Sequence, residues 1–164
     1  MKTVKKVFFE NIELVGLDFD GVFTDNSVYI DSSGYESVKC SRLDGIGLER
    51  LKEANIHAVI ISSEKNNLVQ HRAKKLNIEC YNGIEDKGHF ISQFCKKHNY
   101  HLKNCIFLGN DINDLPILKI VSYPILVNDF HNSLKDYDFY LLDSLGGNGA
   151  VRELCEKVIS DLNS

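Results

Sequence analysis

The chain has 164 residues, 43% of them hydrophobic and 26% charged, with a formal net charge of −4. That length suits one globular domain with a full core, read here as residues 1–164, and argues against a second. The mildly acidic balance contains no Lys/Arg tract longer than two residues and no long apolar run, which argues against a nucleic-acid surface and against a membrane span.

The first dozen residues mix Lys5 and Lys6 with Glu10 and lack the apolar stretch of a signal peptide, so a cytoplasmic protein is expected. Leu14-Val15-Gly16-Leu17 reads as a buried strand running into Asp18-Phe19-Asp20-Gly21. Two short β-type runs, 28–30 and 36–39, flank Asp31-Ser32-Ser33-Gly34 and predict an inserted β-hairpin whose glycine takes a positive φ. Asp44 is expected to cap a helix through Asn55 with Ile46, Leu48, Leu51 and Ala54 facing inward. A strand at 56–61 ends before Ser62, and a helix at 66–76 turns Leu68, Val69, Ala73 and Leu76 inward. A short strand at 79–81 precedes a helix over 86–98 built on Phe90, Ile91, Phe94 and Cys95. The strand 105–108 runs into Gly109-Asn110-Asp111, followed by a helix at 115–120, strands at 122–127 and 139–142, and a helix after Gly146-Gly147-Asn148-Gly149. This alternation predicts an α/β fold: a Rossmann-like, mostly parallel sheet flanked by helices, with the hairpin inserted and no cap domain. Five scattered cysteines form no C-x-x-C pair, which suits reduced thiols rather than a zinc site.

In such sheets the ligand crevice lies beyond the carboxyl ends of the strands, so the polar residues ending the apolar runs are expected to converge. Asp18, last on its strand, is placed to attack phosphorus, while Asp20 can protonate the departing alkoxide and later deprotonate water. Ser62 can donate its hydroxyl to a phosphoryl oxygen, and Lys87 can neutralise charge on the same group. A hard dication such as Mg²⁺ takes oxygen ligands, available from the first strand end and from Asn110 or Asp111.

The string Asp18-Phe19-Asp20-Gly21-Val22-Phe23-Thr24-Asp25, together with Ser62, Lys87 and Gly109-Asn110-Asp111-Ile112-Asn113-Asp114, resembles the haloacid dehalogenase superfamily. The turn Arg42-Leu43-Asp44-Gly45 and the motif 146–153 are similar to its capless branch, which contains phosphatases of 3-deoxy-manno-octulosonate 8-phosphate and of nonulosonate, or sialic-acid-type, 9-phosphates. The resemblance implies a Mg²⁺-dependent phosphatase acting on a small sugar phosphate through an aspartyl-phosphate, and a homotetramer in which neighbouring subunits close each site. It makes Asp18 the nucleophile, Asp20 the general acid/base, and Ser62 and Lys87 the phosphoryl binders. Magnesium would sit between Asp18, the main-chain carbonyl of Asp20 and the acidic turn.

Two departures matter. Many members have an aspartate where this chain has Asn110, which leaves Asn110 as the expected direct ligand and Asp111 as its alternative or anchor. Octulosonate enzymes typically follow the second strand with Ser-Gly-Arg, whereas this chain has Ser62-Ser63-Glu64. The nonulosonate phosphatases have such a Glu together with basic residues that fall on Arg72 and Lys75, so those three are expected to bind substrate. Eleven helical residues rise about 16 Å, so Glu64 and Lys75 cannot meet at one small ligand within one subunit. Two rival readings are a catalytically idle oligomerisation module and a response-regulator-like phosphoacceptor; the full set of Asp18, Asp20, Ser62 and Lys87 argues against the first, and Asp20 with the hairpin against the second.

Overall fold

The protein is described by a computed structural model covering residues 7–164; Lys5 and Lys6 of the charged N-terminal stretch lie outside the described residues. In chain order the elements are β1 (Leu14–Leu17), β2 (Tyr29–Ile30), β3 (Glu36–Ser37), α1 (Leu43–Glu53), β4 (His57–Ile61), α2 (Leu68–Leu76) and β5 (Glu79–Tyr81). There follow α3 (Lys87–His98), β6 (Cys105–Gly109), α4 (Leu115–Leu118), β7 (Tyr123–Leu126), β8 (Tyr140–Leu141) and α5 (Ala150–Leu162). Six strands form one parallel sheet in the order β5-β4-β1-β6-β7-β8. The expected α/β architecture is therefore present, with no domain inserted among the described residues.

All four residues of β1 are buried, as expected for a central strand covered on both faces. Val15, Leu17, Ile60, Ile106 and Leu108 pack on one face with Leu48 and Leu51 of α1 and Leu154 and Val158 of α5. Leu14, Val59, Ile61 and Phe107 pack on the other with Ile91 and Phe94 of α3 and Leu118 of α4. The strand period of two thus sends alternate residues into two separate cores.

The register decides where the chemistry falls. Leu17 pairs with Ile60 and with Leu108, so Asp18 stands level with Ile61 and Gly109, one residue short of Ser62 and Asn110. All three strand ends therefore open on the same edge of the sheet. The β2–β3 hairpin stands apart from that sheet, turns at Gly34 with φ +81°, and exposes Val28, Tyr29, Ile30 and Tyr35.

The α1 expectation needs two corrections. Its N-cap is Arg42, and Asp44 lies inside the first turn, fully buried, where its Oδ1 accepts the Arg152 N–H at 3.2 Å. Asp44 therefore caps the first turn of α5, whose own N-cap, Gly149, has no side chain to offer. Ile46 is 49% exposed instead of facing inward, because α1 meets α5 at Gly47, where a Cβ would lie 3.0 Å from Cys155 Cβ. The helices also begin or end short of two other expected limits, at Leu68 and Leu118. α3 starts one residue later than the expected 86–98 because Asp86 is its N-cap, accepting the His89 N–H at 2.9 Å. Among the described residues no helix is long and apolar enough to cross a membrane.

Candidate active site

The loop after β1 is wound tightly around its own polar groups. The Phe19 carbonyl accepts the Val22, Phe23 and Thr24 N–H groups, and the buried Thr24 Oγ1 accepts those of Gly21 and Asn26. Gly21 has φ +78°, and a Cβ there would fall 2.0 Å from Asn110 Nδ2, so only glycine lets the β6 turn close on this loop. From the other side Gly146 packs against the Gly21 carbonyl, which a Cβ would approach to 2.0 Å, and the Gly147 N–H donates to the Val22 carbonyl at 3.0 Å. The glycines before α5 thus clamp the loop that carries the paired aspartates.

Beneath the loop lies a buried ion triad. Lys87, the first residue of α3 and fully buried, places Nζ 2.7 Å from both Asp18 Oδ1 and Asp114 Oδ1. Asp18 Oδ1 also accepts the Phe19 N–H at 2.7 Å. Asp114 Oδ2 accepts the Asn110 N–H at 2.8 Å and the Asp111 N–H at 3.3 Å, so one carboxylate fixes both the lysine and the metal-type turn. Asp114 was not singled out from sequence. Its signal is a capping-box acid three residues after Asp111, which here accepts from the backbone as expected of such a box.

The electrostatics follow from burial. Burial pushes the Asp18 carboxyl up to about 7, the Asp114 charge adds to the rise, and Lys87 opposes it. Burial would lower the Lys87 ammonium, but Asp18 and Asp114 outweigh it and hold the group above its usual value. Asp20 is raised by burial and by Glu64, with Lys87 acting against them and Glu36 adding a smaller push. A raised carboxyl next to a reacting centre is suited to carry a proton.

Above the triad is a cleft of about 310 Å³ lined by Asp18, Asp20, Ser62, Glu64, Asn110 and Asp111 among others. Ser62 is 1% exposed, and its Oγ accepts the Glu64 N–H at 3.1 Å. Glu64 Oε1 accepts the Lys65 and Asn66 N–H groups at 2.7 and 2.8 Å, which holds its carboxylate over the turn before α2. Asp111 is tied sideways, accepting from the Ile112 N–H at 2.6 Å and the Ser133 hydroxyl at 3.2 Å.

The donor set fits a small hard dication. No three Asp, Glu, His or Cys side chains among the described residues are grouped as a metal site on their own. The cleft nevertheless gathers Asp18, Asp20, Asn110 and Asp111, all oxygen donors, and a site that uses a main-chain carbonyl and an amide oxygen needs fewer carboxylates.

Two expected substrate contacts lie elsewhere. Arg72 does not line the cleft: its Nη2 donates to the Ser41 carbonyl at 2.9 Å, bracing α2 against the segment that leads into α1. Lys75 lines a separate groove of about 480 Å³ at the starting ends of β4 and β5, with Lys52, Ile56 and Glu79. Lys75 is not among the residues that line the phosphoryl cleft.

The family model for haloacid dehalogenase-like hydrolases matches residues 49–154, well over half of the chain. The chain belongs to the haloacid dehalogenase-like hydrolases. A relative from Salmonella typhi, the 3-deoxy-D-manno-octulosonate 8-phosphate phosphatase KdsC, is 33% identical over 151 residues, covering 92% of this chain and 80% of the relative. The Escherichia coli K12 protein of that name is 32% identical over the same length, with the same coverage. Among solved structures, the Moraxella catarrhalis octulosonate 8-phosphate phosphatase, in complex with magnesium, phosphate and KDO, superposes with a TM-score of 0.87 at 32% identity, covering 93% of this chain and 88% of that one. The Yersinia pestis phosphatase gives 0.89 at 29% identity, covering 93% and 83%. This member of the family is thus an enzyme, a phosphomonoester hydrolase with the architecture of the capless sugar phosphatases.

Proposed function

We propose that the chain is a Mg²⁺-dependent phosphatase of a 2-keto-3-deoxy sugar acid phosphate, and that its preferred substrate is a sialic-acid-type nonulosonate 9-phosphate. The observation that carries the reaction is the convergence of Asp18, Asp20, Ser62, Asn110 and Asp111 on one cleft, with Lys87 bonded to the nucleophile from below. With Oδ1 held by Lys87 and the Phe19 N–H, Asp18 Oδ2 is the oxygen for in-line attack. Its bond to phosphorus forms as the ester P–O bond breaks, and Asp20 gives its proton to the leaving alkoxide. Asp20 then takes a proton from water, whose oxygen displaces Asp18 and releases phosphate. Ser62 donates to a phosphoryl oxygen through both steps. Mg²⁺ held by the Asp18 carboxylate, the Asp20 carbonyl and the Asn110 amide oxygen, with Asp111 as alternative donor, would supply the positive charge that lets two anions approach.

The nine-carbon substrate is supported by Glu64, an acceptor for sugar hydroxyls that lines the cleft where octulosonate enzymes typically have an arginine. Octulosonate 8-phosphate is the second reading, favoured by the names of the relatives. A homotetramer is supported by the exposed apolar hairpin and by the distance of Lys75 from its own cleft. Arg72 and Lys75 are then candidates to reach a neighbour's sugar carboxylate, Arg72 only by giving up Ser41. Five free thiols suit a reducing, cytoplasmic setting.

A phosphate-release assay over both sugar phosphates tests the reading. EDTA should abolish release, and Asp18→Asn and Asp20→Asn should each lower turnover by at least roughly a hundredfold. Near-native turnover by Asp18→Asn would refute the mechanism. A native preference for the octulosonate ester, unmoved by Glu64→Arg or Lys75→Ala, would refute the substrate assignment alone.

A further inference from the structure

The phosphoryl cleft does not end at Asp20. A second chamber of about 250 Å³ shares Asp20, Asn26 and Glu64 with it and continues between the hairpin and the start of α2. It is lined by Phe19, by Glu36 and Val38 from the hairpin, by Asn66 from the turn before α2 and by Leu68, the first residue of α2. At about 30 Å³ per water it holds on the order of eight waters, room for a short hydroxylated chain. No Lys or Arg of the described residues lines it.

The position relative to the reacting atoms is decisive. An ester whose phosphoryl group sits between Asp18 and Ser62 must present its bridging oxygen to Asp20, the acid shared by both spaces. From Asp20 the chamber is open to the carbons attached to that oxygen, with Glu36 in its lining. The wall they meet is built: Asn66 Oδ1 accepts the Leu68 N–H at 3.0 Å, and Asn66 Nδ2 donates to Glu36 Oε2 at 3.3 Å. Asn66 thus ties the hairpin to the same turn that carries Ser62 and Glu64.

We infer that Glu36 is a substrate-specificity residue, accepting hydrogen bonds from hydroxyls on the carbons next to the ester, so that the chamber selects a primary phosphate on an uncharged polyol segment. With Asp20, Glu36 and Glu64 around it, the chamber disfavours a leaving group with its own anion close to phosphorus, and a sugar carboxylate must lie farther along the chain. This rests on the phosphatase reading and adds a residue and a chemical preference to it.

The test uses the native enzyme, Glu36→Ala and Glu36→Gln, with N-acetylneuraminate 9-phosphate and octulosonate 8-phosphate as substrates and orthovanadate as a probe of the phosphoryl site alone. Sedimentation confirms that each variant keeps the native assembly. On the better substrate KM should rise by about tenfold in Glu36→Ala and by about threefold in Glu36→Gln, which keeps an acceptor oxygen, with the vanadate inhibition constant unchanged. An unmoved KM overturns the inference. So does a vanadate constant that rises in step with KM, or an altered assembly that accounts for the loss, because Glu36 would then be structural. If the native enzyme releases phosphate from neither ester, the substrate reading itself falls and takes this inference with it, and the native row alone identifies that outcome.

Discussion

Asp114 offers the sharpest test of the site, because one side chain satisfies three donors. Its Oδ1 accepts from Lys87 at 2.7 Å, and its Oδ2 accepts from the Asn110 N–H at 2.8 Å and the Asp111 N–H at 3.3 Å. Asp114→Asn is nearly isosteric yet cannot reproduce this set. If the amide oxygen faces Lys87, the NH₂ confronts the Asn110 N–H; if it is reversed, the NH₂ confronts the ammonium. Either way a buried donor loses a charge-assisted bond, worth about 1.5–3 kcal/mol, and gains a donor–donor contact. Lys87 still has Asp18, so the loss stays below the cost of stranding a buried charge entirely. The expected destabilisation is about 2–4 kcal/mol in urea unfolding at fixed protein concentration without added metal. Because the same carboxylate positions the Asn110 backbone, Mg²⁺ affinity by calorimetry should also fall by about ten- to a hundredfold. A variant within about 0.5 kcal/mol of native, with unchanged Mg²⁺ affinity, would refute the claim that Asp114 organises the site.

Asp44 should make the fold's stability depend on pH in a way its amide variant does not. Burial raises its folded value to about 6, above the unfolded value of about 3.9, so the native state binds more protons between these limits and stability falls as pH rises from about 4 to about 6. Two units at 1.36 kcal/mol each make the contribution on the order of 3 kcal/mol, and Asp44→Asn, which keeps an oxygen for the Arg152 N–H, should gain that much over native between pH 4 and pH 7. A native-to-variant difference constant across that range would rule the account out. For the assembly, sedimentation should show a homotetramer at assay concentration, and Tyr29→Ser/Ile30→Ser should shift it toward smaller species; a fully active native monomer would end the tetramer proposal.

The sheet and much of the cleft were legible because both depend on residues close in sequence. An apolar strand followed at once by a polar residue already carries the information that Asp18, Ser62 and Asn110 lie at strand ends, and a parallel sheet then aligns those ends. The Asp86 cap is local in the same way, its partner His89 being only three residues away. What was not legible depends on which remote elements touch. Asp44 has the chemistry of a cap, but the helix end it serves belongs to α5, more than a hundred residues on. Ile46 fits the inward stripe of α1, yet α1 turns a glycine to α5 so that the two helices can come close. Arg72, expected at the substrate, donates instead to the Ser41 carbonyl, thirty-one residues away in the chain. Asp114 is the instructive case: as one acid in a run of Asn and Asp it is unremarkable, and its role appears only when α3 brings Lys87 to the end of β6. A buried charge can be tolerated only with its partner in place, so residues of this kind are specified by the tertiary contact and not by their neighbours in the chain.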